Sequence, residues 1–404
     1  MKVWTKLLAG SLLGALLGWF LPHGHETIGA VLSWLAETGV KIGRYMTAPM
    51  LVFSLAIAVY ELRQDGLFWK LVFRSFFVML LTAFFVVLTG VTVIYLAPTI
   101  RIPILTGEQA PMVSMNPLEA ISDLFPMNIL AIDGAYFFPL WVFAFFLGMG
   151  LSYDRTFTKP VITLLDSLSR IFYYIGSFFA EILGLVMIAL SAYWAIRYHG
   201  ALQEELFQSV MALLAVLSGI LGFVILPVFF CFFGRRRNPW AVLRGALGPA
   251  LAGFFSGDIN FAVPLVIHHA KEHLGVRRRV NAVTIPLFAT FGRAGSAMVA
   301  AIALVVVIQS YSSLKLDLFP DILIIGLEGA VLSLLLARCP GDAAYTALAA
   351  LCIHYGKGFE AGYLILKPLA FYLIAAGTFL DVMIAAFATY TIAHMNGLPE
   401  GEPA

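Results

Sequence analysis

The sequence has little charge and little cysteine, and these two shortages already restrict what kind of protein it encodes. Only 12% of its 404 residues are charged, whereas 61% are hydrophobic and 34 are phenylalanine. A soluble domain of this length has no interior large enough for so much apolar surface, so we predict a polytopic membrane protein. The three cysteines are widely spaced, which indicates neither a disulfide framework nor a zinc site. They are Cys231, Cys339 and Cys352.

Motifs of catalysis and nucleotide binding are also missing. The sequence contains no Walker motif, nucleophile elbow or zinc-protease motif, so we predict neither an enzyme nor a cofactor. The net charge of +2 is too small to indicate a nucleic-acid partner. His269 and His273 have a spacing compatible with metal binding, but the polar end of a membrane segment is the simpler interpretation.

Apolar runs of about 20 residues or more predict eight membrane crossings. The run up to Leu21 is interpreted as the first crossing, because no small-x-small cleavage pattern of a leader follows it. With the amino end inside, most loop cations fall on the cytoplasmic side, so both termini are predicted to be cytoplasmic in the inner or plasma membrane. The predicted crossings lie near residues 7–22, 29–60, 68–97, 136–152, 161–198, 207–234, 281–311 and 361–395.

One long apolar segment has an arginine block at each end and a break in its middle. The blocks are residues 235–237 and 277–279, and the break is at residues 257–260 (GDIN). Arginine blocks stay on the cytoplasmic face, so the segment should enter and leave the membrane on the same side. We therefore predict a re-entrant hairpin over residues 235–280. Its tip must line a protein cavity or a water-filled site, because hydrocarbon does not tolerate unpaired peptide groups.

A second segment, residues 314–358, repeats this arrangement from the opposite face. It is interrupted at residues 338–342 (RCPGD), where proline and glycine end one helix and Asp342 can cap the next. The two hairpins are followed by similar breaks at residues 294–296 (AGS) and 376–378 (AGT). Paired interruptions of this kind indicate an inverted-repeat secondary transporter with its solute site near the bilayer midplane. The predicted fold is all-α and polytopic, with eight transmembrane helices and two re-entrant helical hairpins.

This pattern divides the chain into a scaffold that oligomerises and a transport part. Whether helices 3 and 6 stay with the scaffold or move with the transport part is left open. In chain order the predicted parts are the scaffold (1–234), the first hairpin (235–280), helix 7 (281–311), the second hairpin (314–358), helix 8 (359–396) and a cytoplasmic tail (397–404).

Several short motifs carry a resemblance to a known family. They are residues 49–55 (PMLVFSL), 123–129 (DLFPMNI), 238–239 (NP) and 286–290 (PLFAT). Together they resemble the dicarboxylate/amino acid:cation symporter family, which has the glutamate-transporter fold, over nearly the whole chain. The resemblance implies a homotrimer in which a transport domain of each protomer moves solute across the bilayer by an elevator motion.

The sequence departs from this family where the family binds ions and substrate. The serine-rich hairpin tip reads SGDIN at residues 256–260, and the family's N-M-D-G-T motif reads GRAGS at residues 292–296. Two sodium-ligand side chains are therefore missing. In the last helix Thr378 is unchanged, but Gly377 replaces the arginine that binds an acidic substrate side chain, and Ile374 replaces the aspartate that holds the substrate amine.

Arg293 is predicted to lie at the centre of a crossing, where a charge costs roughly 2.5–3.5 kcal/mol on insertion scales. It therefore needs a carboxylate partner, and Asp258, Asp342 and Asp381 are available. Arg293 either takes the place of a sodium ion or binds a substrate carboxylate, or it forms a structural ion pair with Asp381. A tethered charge cannot couple transport to a sodium gradient. We therefore expect weak or absent sodium dependence, with exchange or proton coupling through Asp381 or Asp258.

Other polar residues of the two tips and the broken helices complete the predicted site. Asp258 and Asp342 have a second interpretation as helix caps, and the hydroxyl groups have one as donors to carbonyls of their own helices. The candidate substrate ligands are Ser256, Asp258, Asn260, Arg293, Gly341, Asp342, Thr378 and Asp381. The candidate coupling-ion ligands are Thr290, Gly292, Ser296 and Asp381.

The sequence as a whole predicts a secondary active transporter of a small organic solute, with membrane lipid and two further copies of the chain as its other partners. A carboxylate-bearing solute, either a dicarboxylate or an amino acid, is favoured by the resemblance and by helix amino termini at the tips. The coupling ion, sodium or proton, is left open. The alternatives are a proton-coupled transporter of a neutral or cationic solute, and an ion channel, which would require a continuous polar lining.

Overall fold

The computed structural model describes residues 3–21, 26–96, 137–203, 205–233, 239–311, 318–339 and 341–397. Regular secondary structure in these ranges is helical, as the composition predicts. Several features used above lie outside them. These are the arginine block at 235–237, the motif at 123–129, Asn238, Pro340 and the tail from residue 398 onward.

The helices are numbered here in chain order. A π-turn at Leu221–Ile225 joins α6 to α7, and a 3-10 turn at Gly362–Leu369 leads into α14. The bounds are α1 Val3–Phe20, α2 Glu26–Gln64, α3 Phe68–Leu96, α4 Phe138–Leu151, α5 Arg155–Gln203, α6 Glu205–Ile220, α7 Leu226–Phe233, α8 Pro239–Ser256, α9 Ile259–Glu272, α10 Arg278–Phe291, α11 Ala294–Tyr311, α12 Leu323–Leu335, α13 Ala343–Tyr355 and α14 Ala370–Met395.

Eight helical stretches in the described ranges are long and apolar enough to cross a membrane. The number agrees with the prediction, but one member differs. Helix α4 has 14 residues and is about 21 Å long, which is short of the roughly 30 Å hydrocarbon core. The stretch Pro320–Arg338, predicted to be an arm of the second hairpin, is apolar over 19 residues and reaches about 28 Å. By length alone, α4 is too short for the crossing predicted there, whereas Pro320–Arg338 is long enough to cross the membrane.

Helices α1, α2, α4 and α5 pack together and are called the first bundle. Small residues set the contact between α1 and α5. A Cβ atom added to Gly10 would lie 2.1 Å from the Gly184 carbonyl oxygen, and one added to Gly14 would lie 2.2 Å from the Ile188 oxygen. The two backbones therefore touch without an intervening side-chain layer, as is common between membrane helices.

Helices α8 to α14, together with α3, form the second bundle. Its centre is occupied by α11 and α14. Every residue of α11 from Ala294 to Ile308 is buried, and so is α14 from Ala375 to Ala393. Helices buried on all sides pack only against protein. A polar side chain in this centre must therefore find its partners within the protein.

Candidate functional site

The break between α8 and α9 and the break before α13 lie close together beside α14. We call residues 256–260 tip 1 and residues 338–342 tip 2. The carbonyl oxygen of Gly341 lies 4.0 Å from the position that a Cβ of Gly257 would occupy, and Thr378 of α14 donates a hydrogen bond from Oγ1 to the Gly257 oxygen (3.3 Å). Gly257 has a φ of +66°, which favours glycine. Tip 1, tip 2 and α14 thus meet at one place.

Asp258 is the amino-terminal cap of α9. Its Oδ1 accepts a hydrogen bond from the Asn260 backbone N–H (2.9 Å), while its Oδ2 accepts one from Nε of Arg44. The Asp258 side chain is 1% exposed and that of Arg44 is 23% exposed. Both carboxylate oxygens are therefore engaged within the protein, one by the helix start and one by a cation of the first bundle.

Arg44 is a further candidate site residue, which is not among those predicted from the sequence. It lies in the middle of α2, inside a predicted crossing, so it could have been singled out by the same cost argument as Arg293. Its neighbours on α2 also contact tip 1 and the start of α9. A Cβ at Gly43 would lie 2.4 Å from the ring of Phe261, and Thr47 Oγ1 lies 3.0 Å from the Asn260 carbonyl oxygen. One face of α2 thus packs directly on tip 1.

Arg293 and Asp381 form a second polar centre, between α11 and α14. The distance from Arg293 Nε to Asp381 Oδ2 is 3.5 Å, and neither residue is exposed. Ser296 donates to the same carboxylate twice, from its backbone N–H to Oδ1 (3.0 Å) and from Oγ to Oδ2 (2.6 Å). Arg293 Nη2 also donates to the carbonyl oxygen of Cys339 in tip 2 (3.3 Å). The carboxylate partner expected for Arg293 is therefore present, and the pair is tied to tip 2.

The remaining predicted site residues lie around these two centres. Ser256 Oγ accepts a hydrogen bond from the Asp258 backbone N–H (3.2 Å). Thr290 donates to the Pro286 carbonyl of its own helix (2.8 Å), and Gly292 caps the end of α10. Asp342 immediately precedes α13 as predicted, but its exposed side chain makes no capping hydrogen bond to the described part of the chain.

Gly377 lies where three helices approach most closely. A Cβ at this position would lie 2.9 Å from both Cα and Oγ of Ser296 and 3.0 Å from the Cβ of Ala344. The structure thus has no space for an arginine side chain at this position, where the family resemblance would place one. Gly377 therefore offers no side-chain donor at this position of α14.

The two histidines that were considered as metal ligands are packed at the end of α9. The rings of His269 and His273 stack with centroids 4.5 Å apart, and a Cβ at Gly245 would overlap the His269 ring. Within the described ranges, no group of three or more His, Cys, Asp or Glu side chains is arranged to hold a metal ion. The pair is therefore interpreted as packing between α8 and α9.

Comparison with known proteins identifies transporters. The model of the sodium:dicarboxylate symporter family matches residues 3–395. The serine/threonine transporter of Streptococcus agalactiae serotype Ia is 26% identical over 325 residues, 74% of this chain and 74% of the relative. A putative sodium-dependent excitatory amino acid transporter of Caenorhabditis elegans is 27% identical over 135 residues, 33% of this chain and 24% of the relative. An excitatory amino acid transporter of Onchocerca volvulus is 30% identical over 101 residues, 24% of this chain and 20% of the relative. The matched stretch spans about a quarter or less of the two nematode relatives.

Proposed function

Because this chain belongs to the sodium:dicarboxylate symporter family, we propose that it carries a small organic solute across the membrane between tip 1 and tip 2. One observation carries this proposal. Tip 1, tip 2 and α14 converge at Gly257, Gly341 and Thr378, so the breaks of both predicted hairpins meet beside a buried helix. Two broken segments that meet in this way form the solute site of inverted-repeat transporters.

A carboxylate-bearing solute, an amino acid or a dicarboxylate, is the class that the site favours. The amino ends of α9 and α13 lie at tip 1 and tip 2. Helix amino ends favour an anionic group. The relatives, which are named as a putative excitatory amino acid transporter and a serine/threonine transporter, agree with this class.

The second candidate is a proton-coupled transporter of a neutral or cationic solute. The close packing around Gly377 favours this second candidate, because a cationic side chain at that position of α14 has no space to face the solute. The exposed carboxylate of Asp342 at tip 2 would suit an amine. A screen of solutes with and without a carboxylate separates the two candidates.

The coupling to sodium is proposed to be weaker than in other members of the family. Arg293 brings a permanent positive charge to Asp381 in the buried centre of the second bundle. An ion that crosses the membrane gains about 2.3 kcal/mol per charge per 100 mV. A charge fixed to the protein returns with it in each cycle and does not supply this energy. Exchange of solutes, or proton binding at Asp381 or Asp258, is the proposed replacement.

An elevator motion is the proposed mechanism, with the first bundle as the fixed part of a homotrimer. The second bundle, including both predicted hairpins, would be the moving part. Helix α3 packs against α11 and α12, which supports placing helix 3 with the moving part. The ion pair between Arg44 and Asp258 then joins the fixed part to the moving part, so it must break when tip 1 slides along α2.

Solute counterflow tests the proposal. Proteoliposomes loaded with unlabelled aspartate, glutamate, serine or succinate are diluted, and uptake of the labelled solute is followed. We expect transient accumulation for at least one carboxylate. Thr378→Val removes one hydrogen bond, and its loss should slow the accumulation of labelled solute roughly three- to tenfold. Thr82→Val is the matched control, because the Thr82 hydroxyl is buried in α3 and donates to its own helix. Ion currents without counterflow would show a channel instead.

A further inference from the structure

A cleft lined mainly by cations lies apart from the two tips, between the first bundle and the start of α10. Its volume is about 410 Å³. Five of its lining side chains are lysine or arginine and only one is a carboxylate. The cations are Arg170, Lys271, Arg277, Arg278 and Arg279, and the carboxylate is Glu61.

Three of these arginines are held by carboxylates at the cleft wall. Arg278 Nη2 and Arg170 Nε contact the two oxygens of Asp166, at 2.5 Å and 3.0 Å. Arg279 pairs with Asp65 at the end of α2. A guanidinium carries five N–H donors. Each of these arginines therefore keeps donors beyond those used in its ion pair, in a geometry fixed by that pair.

Lys271 and Arg277 add positive charge that nearby carboxylates compensate less fully. Arg277 forms no ion pair with any residue that the structure describes. The ammonium of Lys271 lies 4.0 Å above the ring of Tyr173 and 3.9 Å from a carboxylate oxygen of Glu272. Glu272 in turn accepts a hydrogen bond from the Tyr173 hydroxyl (2.9 Å). A cleft with a surplus of cations and many N–H donors is suited to a ligand with several anionic oxygens, such as a phosphate.

The surface next to the cleft favours a lipid as the source of that phosphate. Tyr174 lines the cleft and is 70% exposed. From there an exposed apolar ridge runs along one face of α5, at helical spacing. Its members are Ile171, Ile175, Phe178, Ile182 and Leu185. A phosphate in the cleft would place an attached acyl chain against this ridge, and basic pockets between membrane helices recognise anionic headgroups in this way.

We propose that this cleft binds the headgroup of an anionic phospholipid, with its acyl chains lying along α5. The site uses none of the residues of tip 1 and tip 2, so it does not depend on the proposed solute. The bound lipid would contact α2 and α5 on one side and the turn from α9 to α10 on the other.

Lipid binding to the purified full chain tests the proposal. The protein is titrated with phosphatidylglycerol, with phosphatidylcholine and, separately, with inorganic phosphate, and bound lipid is counted by native mass spectrometry. We expect tighter binding of phosphatidylglycerol than of phosphatidylcholine. Lys271→Gln together with Arg277→Gln should weaken phosphatidylglycerol binding roughly 25-fold, about fivefold for each cation removed.

Neither substitution is expected to unfold the protein. Arg277 has no ion pair to break within the described ranges, and Glu272 is half exposed and keeps its bond to Tyr173. Lys70→Gln, at an exposed cation outside the cleft, should leave lipid binding unchanged. Equal binding of both lipids, or no effect of the double variant, would overturn the proposal. Phosphate that protects the wild type but not the double variant against thermal unfolding, without a lipid preference, would assign the cleft to a soluble anion and overturn it as well.

Discussion

Arg44, in the middle of α2, donates a hydrogen bond from Nε to Asp258, the residue that caps α9 at tip 1. The two residues are 214 positions apart in sequence. Asp258 is almost completely buried, whereas part of the Arg44 side chain reaches the surface. Because of this difference in burial, substitutions of Arg44 and of Asp258 should have different effects on the stability of the protein.

Removing the arginine of this pair should cost more stability than removing the charge of the aspartate. Arg44→Gln leaves a buried carboxylate without its cation. The cost is below the roughly 3–5 kcal/mol of a fully buried pair, because Arg44 is partly exposed. Asp258→Asn leaves a good helix cap and an arginine that can reach water. In detergent, the melting temperature of Arg44→Gln should therefore be lower than that of Asp258→Asn. The double variant should recover part of the stability that Arg44→Gln loses. An equal loss in the two single variants would contradict this account.

The pair of Arg293 and Asp381 should show a strong energetic coupling. Arg293→Met leaves Asp381 buried without a counter-charge, which costs roughly 3–5 kcal/mol. Combining it with Asp381→Asn should recover most of that loss. Lys41→Met is the matched control, since its ion pair with Glu37 is exposed on α2 and exposed helical pairs contribute about 0.3–0.5 kcal/mol. A double-mutant cycle by chemical unfolding measures the coupling. Additive effects of the two buried substitutions would refute it.

Uptake should depend only weakly on sodium. We expect the initial rate in proteoliposomes to change less than about twofold when sodium is replaced by N-methylglucamine at constant pH and voltage, because a tethered arginine cannot be released as a coupling ion. The control is a change of pH at constant sodium, which should alter the rate if protons are coupled. Collapse of uptake on sodium withdrawal would show that the chain keeps the sodium coupling of its family.

Gly377 should not tolerate a side chain, although it lies in a helix. Gly377→Ala places a methyl group 2.9 Å from the backbone of Ser296, and overpacking of this kind costs about 1–3 kcal/mol. Gly219→Ala in α6 is the control, because a Cβ there would meet no described atom within 4 Å. That variant should be neutral or gain up to about 1 kcal/mol from helix propensity. A stable, active Gly377→Ala would show that α11, α13 and α14 are less tightly packed than described.

The fold could be predicted from the sequence to a large extent, because membrane helices are encoded by length and hydropathy. The all-helical fold and the family are confirmed. The lengths of α4 and of Pro320–Arg338 do not separate a crossing from a hairpin arm, because the two stretches are similar in composition and only tertiary packing distinguishes the two roles. The predicted hairpins, the elevator motion and the trimer stay predictions.

The polar centres were predictable where a single charged residue has a large free-energy cost inside a membrane crossing. Arg293 in a crossing requires a carboxylate, and the structure provides Asp381. The second contact, with the Cys339 carbonyl of tip 2, depends on how the second bundle closes and has no sequence signal. The contact of Arg44 with Asp258 joins residues 214 positions apart and depends on how the two bundles pack, for which the sequence has no signal. The roles of these residues in transport remain predictions.

The row of glycines on α1 has a consequence for the outer surface of the protein. Because Gly10, Gly14 and Gly18 touch the α5 backbone, a turn of α1 by one residue, about 100°, would force a bulky side chain into a peptide carbonyl. The orientation of α1 is therefore fixed, and its leucines at positions 12, 13, 16 and 17, each more than half exposed, face outward permanently. That leucine face must be solvated by hydrocarbon tails or covered by a neighbouring subunit.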